Sequence, residues 1–309
     1  MKCIFMGSAE FSIPSLEALC THHSVQCVVT NPDKPAGRGK IITANPVHAY
    51  ARHHALPVEQ PEKLDEKIIH RLDAIQADVI VVVAYGKLLP PALLTLTPYG
   101  AINVHPSLLP KYRGAAPVPW SIIKGEHETG ISIQFLTEQL DCGDIIIQEK
   151  TPIDPDENSG MLLHRLAFSG ADCLLRALTD IEQNTVMRIP QPPGTYFYAR
   201  KLKPNDGKIV WTENLTSLYN HVRGVSPVPG AWTIIGGKRI KIISVRCEEA
   251  MHETDTRGTV VRIEKLKGIG ISVPDGILWI TELQPPGKSV MTAQSFLNGY
   301  RVQVGDRCE

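Results

Sequence analysis

The chain has 309 residues, 43% of them apolar, and its 32 Lys plus Arg balance 32 Asp plus Glu. This is globular composition, which excludes a disordered or fibrous chain; at roughly 150 residues per domain it anticipates two domains, each with a core. No apolar run approaches the ~20 residues of a membrane helix, and the apolar stretch before Gly7 is too short for a secretory signal, so a soluble, unprocessed, cytoplasmic protein is expected.

In chain order, Lys2–Met6 is an apolar strand ending at Gly7-Ser8. Ser12 is expected to cap a helix with Pro14 in its first turn. Val25–Thr30 reads as a strand, Pro46–Ala55 as a helix, and Glu62–Ile75 as a second helix with apolar residues at 64, 68, 69, 72 and 75. Asp78–Ala84 (DVIVVVA) is continuously apolar and β-branched, as for a parallel strand covered on both faces. Gly100–Val104, Ile131–Leu136 and Asp144–Glu149 follow as strands, and Ser159–Leu178 as a long helix. Strands interleaved with helices predict a doubly wound, mostly parallel α/β sheet, with ligands beyond the carboxyl ends of its strands. Ile189–Gly194 is Pro-rich and reads as a linker. Beyond it come a short helix at Asn214–Arg223 and five short strands (Trp232–Ile235, Arg239–Val245, Gly258–Ile263, Ile269–Val273, Ile277–Leu283), which predict a small OB-like β-barrel. The expected division is 1–189, a linker over 190–206, and 207–309.

Charge is unevenly placed. Residues 1–200 carry 17 basic and 21 acidic side chains, and residues 201–309 carry 15 and 11, so the C-terminal part is the better match for a polyanion. The seven cysteines are odd in number, contain no CxxC pair and lack zinc spacing with His, so reduced thiols and no metal are expected. GxGxxG, HExxH and GxSxG are absent, which disfavours a nicotinamide enzyme.

Three segments carry candidate chemistry. In Asn103-Val-His105, the amide and imidazole are two apart and share one face of a strand; the amide can donate to an oxyanion and the imidazole can move a proton. Pro106 and Pro110 are expected to stiffen the following loop and leave its backbone free for a ligand; the plain alternative is a polar strand end feeding a Pro-rich turn. In Leu140–Asp144 a carboxylate could orient His105, with Asp141 and Asp144 equally placed by sequence, although Asp and Gly are also ordinary turn residues. Asn31–Pro46 is long for a βα loop, and its Arg38 and Lys40 could meet phosphates.

Over nearly its whole length the chain resembles the N10-formyltetrahydrofolate-dependent formyltransferases. The resemblance rests on GSAEF, PDKPAGRGK, DVIVVVAYGKLLP, INVHPSLLPKYRGAAPVPWSI, QLDCGDII and YFYARKL. The PAGRGK loop and C-terminal barrel place it in the tRNA-directed branch, although Pro106 stands where that branch has a small residue. The resemblance implies a formyltransferase domain of Rossmann-like form and an OB-like tRNA-binding domain. It implies transfer of the formyl group of N10-formyltetrahydrofolate to the α-amine of initiator methionyl-tRNA, without a metal, by a monomer. It implies Asn103, His105 and Asp141 as catalytic residues. Ser107, Leu108, Leu109, Pro110, Tyr85, Gly86, Leu88 and Gln134 are implied at the folate, and Arg38, Lys40 and Lys201 at the tRNA.

Overall fold

The computed structural model describes residues 1–36, 41–250 and 257–309. They form two compact units. One comprises Met1–Pro117, Glu128–Pro152 and Leu163–Arg200; the other comprises Val118–His127, Ile153–Leu162 and Lys201–Glu309.

In chain order the first elements are β1 (Lys2–Gly7), a 3-10 turn (Glu10–Ser12), α1 (Ile13–His22), β2 (Ser24–Val29), β3 (Lys34–Ala36), β4 (Ile41–Thr43), α2 (Pro46–His53) and β5 (Val58–Glu59). There follow α3 (Glu66–Asp73), β6 (Val79–Val83), α4 (Pro91–Leu94), β7 (Ala101–His105), α5 (Pro117–Ile123), β8 (Glu128–Phe135), β9 (Ile145–Pro152) and α6 (Ser159–Glu182). Seven strands make one sheet in the order β5-β2-β1-β6-β7-β8-β9. Pairing is parallel from β5 to β7 and antiparallel for β8 and β9. Every residue of β6 and all but the first of β1 are buried, which is why these strands are apolar throughout rather than alternating.

Three local readings are corrected. Ser12 does not cap α1 with its side chain: its hydroxyl donates to the Val83 carbonyl (2.6 Å), tying the first helix to the end of β6. The helix predicted from Glu62 begins at Glu66, because Asp65 stops it there by accepting the Ile68 N–H. The 31–46 stretch is no plain loop; β3 and β4 pair in it as an antiparallel hairpin.

The second unit contains a 3-10 turn (Pro204–Gly207), α7 (Leu215–Gly224), β10 (Ala231–Ile235), β11 (Lys238–Glu249), β12 (Val260–Glu264), β13 (Gly268–Val273), β14 (Gly276–Gln284), β15 (Met291–Thr292) and α8 (Ala293–Gly299). Its antiparallel sheet runs β10-β11-β14-β13-β12, with β15 on β14. Gly236 and Gly237 both take positive φ, 56° and 72°, making the tight β10–β11 turn. The C-terminal residues close the sheet. Ile234 and Glu309 exchange both backbone hydrogen bonds, Cys308 N donates to Gly258 O and Val260 N to Asp306 O. The tail thus lies between β10 and β12, the two edges, so neither offers a free ladder.

Candidate active site

The loops after β1, β2, β6 and β7 all leave the carboxyl ends of parallel strands, where such sheets bind ligands. Asn103 and His105 share one face of β7, and β8 places Gln134 opposite the first and Ser132 opposite the second. Asn103 is half-buried, and its amide makes no hydrogen bond with the described residues. His105 is buried, 4% exposed. Its Nε2 lies 3.1 Å from the Tyr112 carbonyl, and its Nδ1 lies 3.7 Å from Asp141 Oδ1, within ion-pair range and beyond a direct hydrogen bond.

The loop after β7 is pinned from below. Ser132 Oγ donates to Ser107 O and accepts from Leu109 N, and Gln148 Nε2 donates to Leu109 O. The Ser107 hydroxyl donates to Lys111 O, and Lys111 N to Leu108 O. Leu109–Pro110 is a cis peptide. This corrects the expectation that the prolines leave the backbone free. Ser107, Leu108 and Leu109 spend their carbonyls within the protein, and Ser107 and Leu109 are buried. Ser132 and Gln148, which hold it, carry no signal in the sequence beyond being polar residues in strands.

The segment after β8 folds back on itself. Gly143 makes this possible, since a Cβ there would fall on the Phe135 carbonyl oxygen. Asp141 takes φ = 52°. Its Oδ2 accepts from Gly114 N (2.8 Å) and its Oδ1 from Gln134 Nε2 (3.1 Å). Gln191 completes the cluster: Nε2 donates to the carbonyls of Asp141 (2.9 Å) and Gly143 (2.8 Å), while Oε1 accepts from Arg113 (2.6 Å). Gln191 carries no sequence signal of this role, since it lies in the Pro-rich stretch, far along the chain from what it touches. Ala84, Tyr112 and Asp141 all hold left-handed backbone without being glycine. Such conformations cost of order 1–3 kcal/mol each and persist where surroundings enforce them, commonly at functional sites. The Asp144 carbonyl accepts from Phe135 N.

After β6, the Tyr85 side chain is buried in the apolar core, and burial pushes its phenol up to about 12. Its carbonyl accepts from Asn31 Nδ2, and the Lys87 ammonium lies 5.8 Å from its ring centroid. Gly86 (φ = 79°) is exposed with open space where a Cβ would stand, and Leu88 is exposed. Lys201 is exposed at the start of the second unit; Arg38 and Lys40 lie outside the described residues.

The base of the β3–β4 hairpin is fixed by a polar cluster. His48 Nδ1 lies 2.9 Å from both Asp33 oxygens, Gln60 Nε2 donates to Asp33 Oδ1, and Asn45 Nδ2 donates to Asn31 O. Partial burial alone would raise the Asp33 pKa, but hydrogen bonds from His48, Gln60 and the Asn45 amide outweigh it and hold the carboxyl below its ordinary 3.8. A depressed carboxylate contributes stability that is present above its unfolded pKa and lost as pH falls through the folded value. Asp33→Asn is therefore expected to lower the melting temperature at pH 7, with the deficit closing below about pH 4 as the wild type protonates. A deficit unchanged at acid pH would contradict this.

Among the described residues, no group of three or more His, Cys, Asp or Glu is placed to hold a metal ion, and no helix is long and apolar enough to cross a membrane. A polarisable amide and a carboxylate-backed imidazole over a doubly wound sheet suit acyl transfer without a nucleophile. Residues 1–178 match the formyl transferase family model and residues 201–301 the formyl transferase C-terminal domain, so fold and site define a formyltransferase.

The chain is 42% identical to methionyl-tRNA formyltransferase of Syntrophus aciditrophicus, covering 99% of this chain and 98% of that protein. It is 41% identical to that of Carboxydothermus hydrogenoformans over the whole of both chains. It belongs to the methionyl-tRNA formyltransferase family. Among solved structures, the N-formyltransferase from Helicobacter canadensis with folinic acid and dTDP-3-aminofucose superposes with TM-score 0.67 at 20% identity, over 92% of this chain and 98% of that one. HypX from Aquifex aeolicus with tetrahydrofolic acid gives 0.64 at 17%, over 99% of this chain and 50% of that one. These two show the shared fold.

Proposed function

We infer that this chain transfers the formyl group of N10-formyltetrahydrofolate to the α-amine of initiator methionyl-tRNA. The observation that carries the reading is Asn103 and His105 side by side on β7, with Asp141 behind the imidazole. The amine nitrogen bonds to the formyl carbon, and the carbonyl oxygen becomes an oxyanion. The Asn103 amide, which has no hydrogen bond to the described residues to give up, donates to that oxyanion. His105 takes the proton released by the attacking amine and returns it to N10 as the C–N10 bond breaks and tetrahydrofolate leaves. Asp141 balances the imidazolium during this exchange and holds the ring in place. No covalent nucleophile enters.

In this reading the exposed backbone at Gly86 and Leu88, the carbonyl side of Tyr85, Gln134 and the 107–110 loop border the folate. Arg38 and Lys40 meet the acceptor stem, and Lys201 lies near the acceptor end. Residues 1–189 form the catalytic domain, 190–206 the linker and 207–309 the tRNA-binding barrel. The protein acts as a cytoplasmic monomer. The test mixes protein, N10-formyltetrahydrofolate and Met-charged initiator tRNA, with uncharged tRNA and free methionine as controls. Formylmethionyl-tRNA is expected only in the complete mixture; formyl transfer to an aminosugar nucleotide but not to tRNA would overturn the acceptor and leave the chemistry standing.

A further inference from the structure

Beside the catalytic residues lies an aromatic and basic surface that the formyl-transfer chemistry leaves unused. Residues 196–200 run along the loop after β7: Ala199 N donates to Arg113 O (2.7 Å) and Ala116 N to Ala199 O (2.9 Å). Tyr112 and Phe197 meet edge to face with ring centroids 5.7 Å apart, and the Arg113 guanidinium lies 5.5 Å from the Tyr196 ring centroid. The Tyr198 ring rests on Gly114, where a Cβ would come within 2.9 Å of its Cε2. Phe197 and Tyr198 nevertheless expose 42% and 56% of their surface, with Lys111 and Arg200 exposed on the same two segments. The surface begins at a direct contact with the site, since the Tyr112 carbonyl is the partner of His105 Nε2.

Exposed aromatic faces held in place by backbone, next to cations, are the recognition chemistry of unpaired nucleotides. Bases stack on the rings regardless of sequence, and the cations meet phosphates. We propose that Phe197 and Tyr198 form a stacking platform for the unpaired 3′ nucleotides of the acceptor tRNA, with Lys111 and Arg200 beside their phosphates. This rests on the reading of the acceptor as an aminoacyl-tRNA. The amino acid is esterified to the terminal ribose, so an α-amine that reaches Asn103 and His105 brings the last nucleotides to the ground next to them. The absent Cβ at Gly114 lets Tyr198 sit against the loop that carries the site, so platform and catalytic loop keep a fixed spacing.

The experiment titrates wild type, Phe197→Ala, Tyr198→Ala and Tyr198→Trp with uncharged initiator tRNA, either intact or trimmed of its unpaired 3′ nucleotides. Thermal melting serves as the folding check. Each alanine variant is expected to bind intact tRNA roughly 5- to 150-fold more weakly, the range for one lost base stack. Trimmed tRNA should bind wild type and variants alike, and Tyr198→Trp should retain intact-tRNA affinity. Alanine variants that bind intact tRNA like wild type, an equal loss on trimmed tRNA, or a loss confined to the KM for formyltetrahydrofolate would each overturn the platform. Wild type that formylates Met-tRNA while the variants bind normally sinks the platform alone. Wild type that fails to formylate sinks the acceptor reading itself.

Discussion

Asn103→Ala is expected to slow single-turnover formyl transfer about 10²–10³-fold, equivalent to about 2.7–4 kcal/mol of transition-state stabilisation. Melting temperature and folate binding should stay close to wild type. The reason is local. The Asn103 amide holds no hydrogen bond within the described residues and is only half-buried, so deleting it orphans no buried partner and opens no deep cavity. Asn103→Asp is the sharper variant, since it keeps shape and replaces the donor by an acceptor. It should be at least as slow as alanine. His105→Ala should fall in the same range or below, with a stability cost that Asn103→Ala lacks, because it opens space in a buried position and removes the contact to Tyr112 O. If the two residues act on one tetrahedral intermediate, the double variant should be much less impaired than the product of the single effects. Near-normal single-turnover rates in Asn103→Ala would remove the oxyanion role.

Legibility in the sequence follows the range of the interaction. The continuous apolar run in β6 is dictated by burial on both faces, so it can be read without knowing its neighbours. Asn103 and His105 are readable as a pair because side chains on a strand repeat every two residues, whatever strand lies beside them. The choice between Asp141 and Asp144 is of another kind. It depends on how the segment after β8 folds back, and that depends on a missing side chain at Gly143 and on Gln191, 50 residues away from Asp141. The hairpin inside 31–46 is held at its base by Asp33, His48 and Gln60, whose pairing no local propensity reports. Ser12 looks like a helix cap in isolation, yet its hydroxyl finds a carbonyl on β6, 71 residues away. The segment that bridges β10 and β12 is the short polar run 306–309, which pairs through isolated bridges and carries no strand pattern to read.

The same fold-back makes Gly143→Ala the most damaging conservative change in the site. The added methyl falls on the Phe135 carbonyl oxygen, on a stretch of β8 backbone held on one side by Leu136 N donating to Ala101 O and on the other by Phe135 N donating to Asp144 O. A strand in the middle of a sheet does not yield, so the 139–144 segment must. Moving it draws the Gly143 carbonyl off Gln191 and shifts Asp141, whose carboxylate depends on Gly114 N and Gln134 for its position. A misplacement of about 1 Å in such a constellation costs on the order of 10²-fold. Gly143→Ala should therefore lose about 10²-fold or more in single-turnover rate, together with a lower melting temperature, since a buried carboxylate loses hydrogen bonds. Asp141→Asn supplies the comparison. It keeps the segment in place but removes the charge behind His105, and it presents an amide to donors that need acceptors. The expected ordering puts both variants far below wild type in rate, with Gly143→Ala the less stable of the two. A Gly143→Ala enzyme of normal rate would mean that Asp141 can move without consequence, and the carboxylate would then have no part in holding the imidazole.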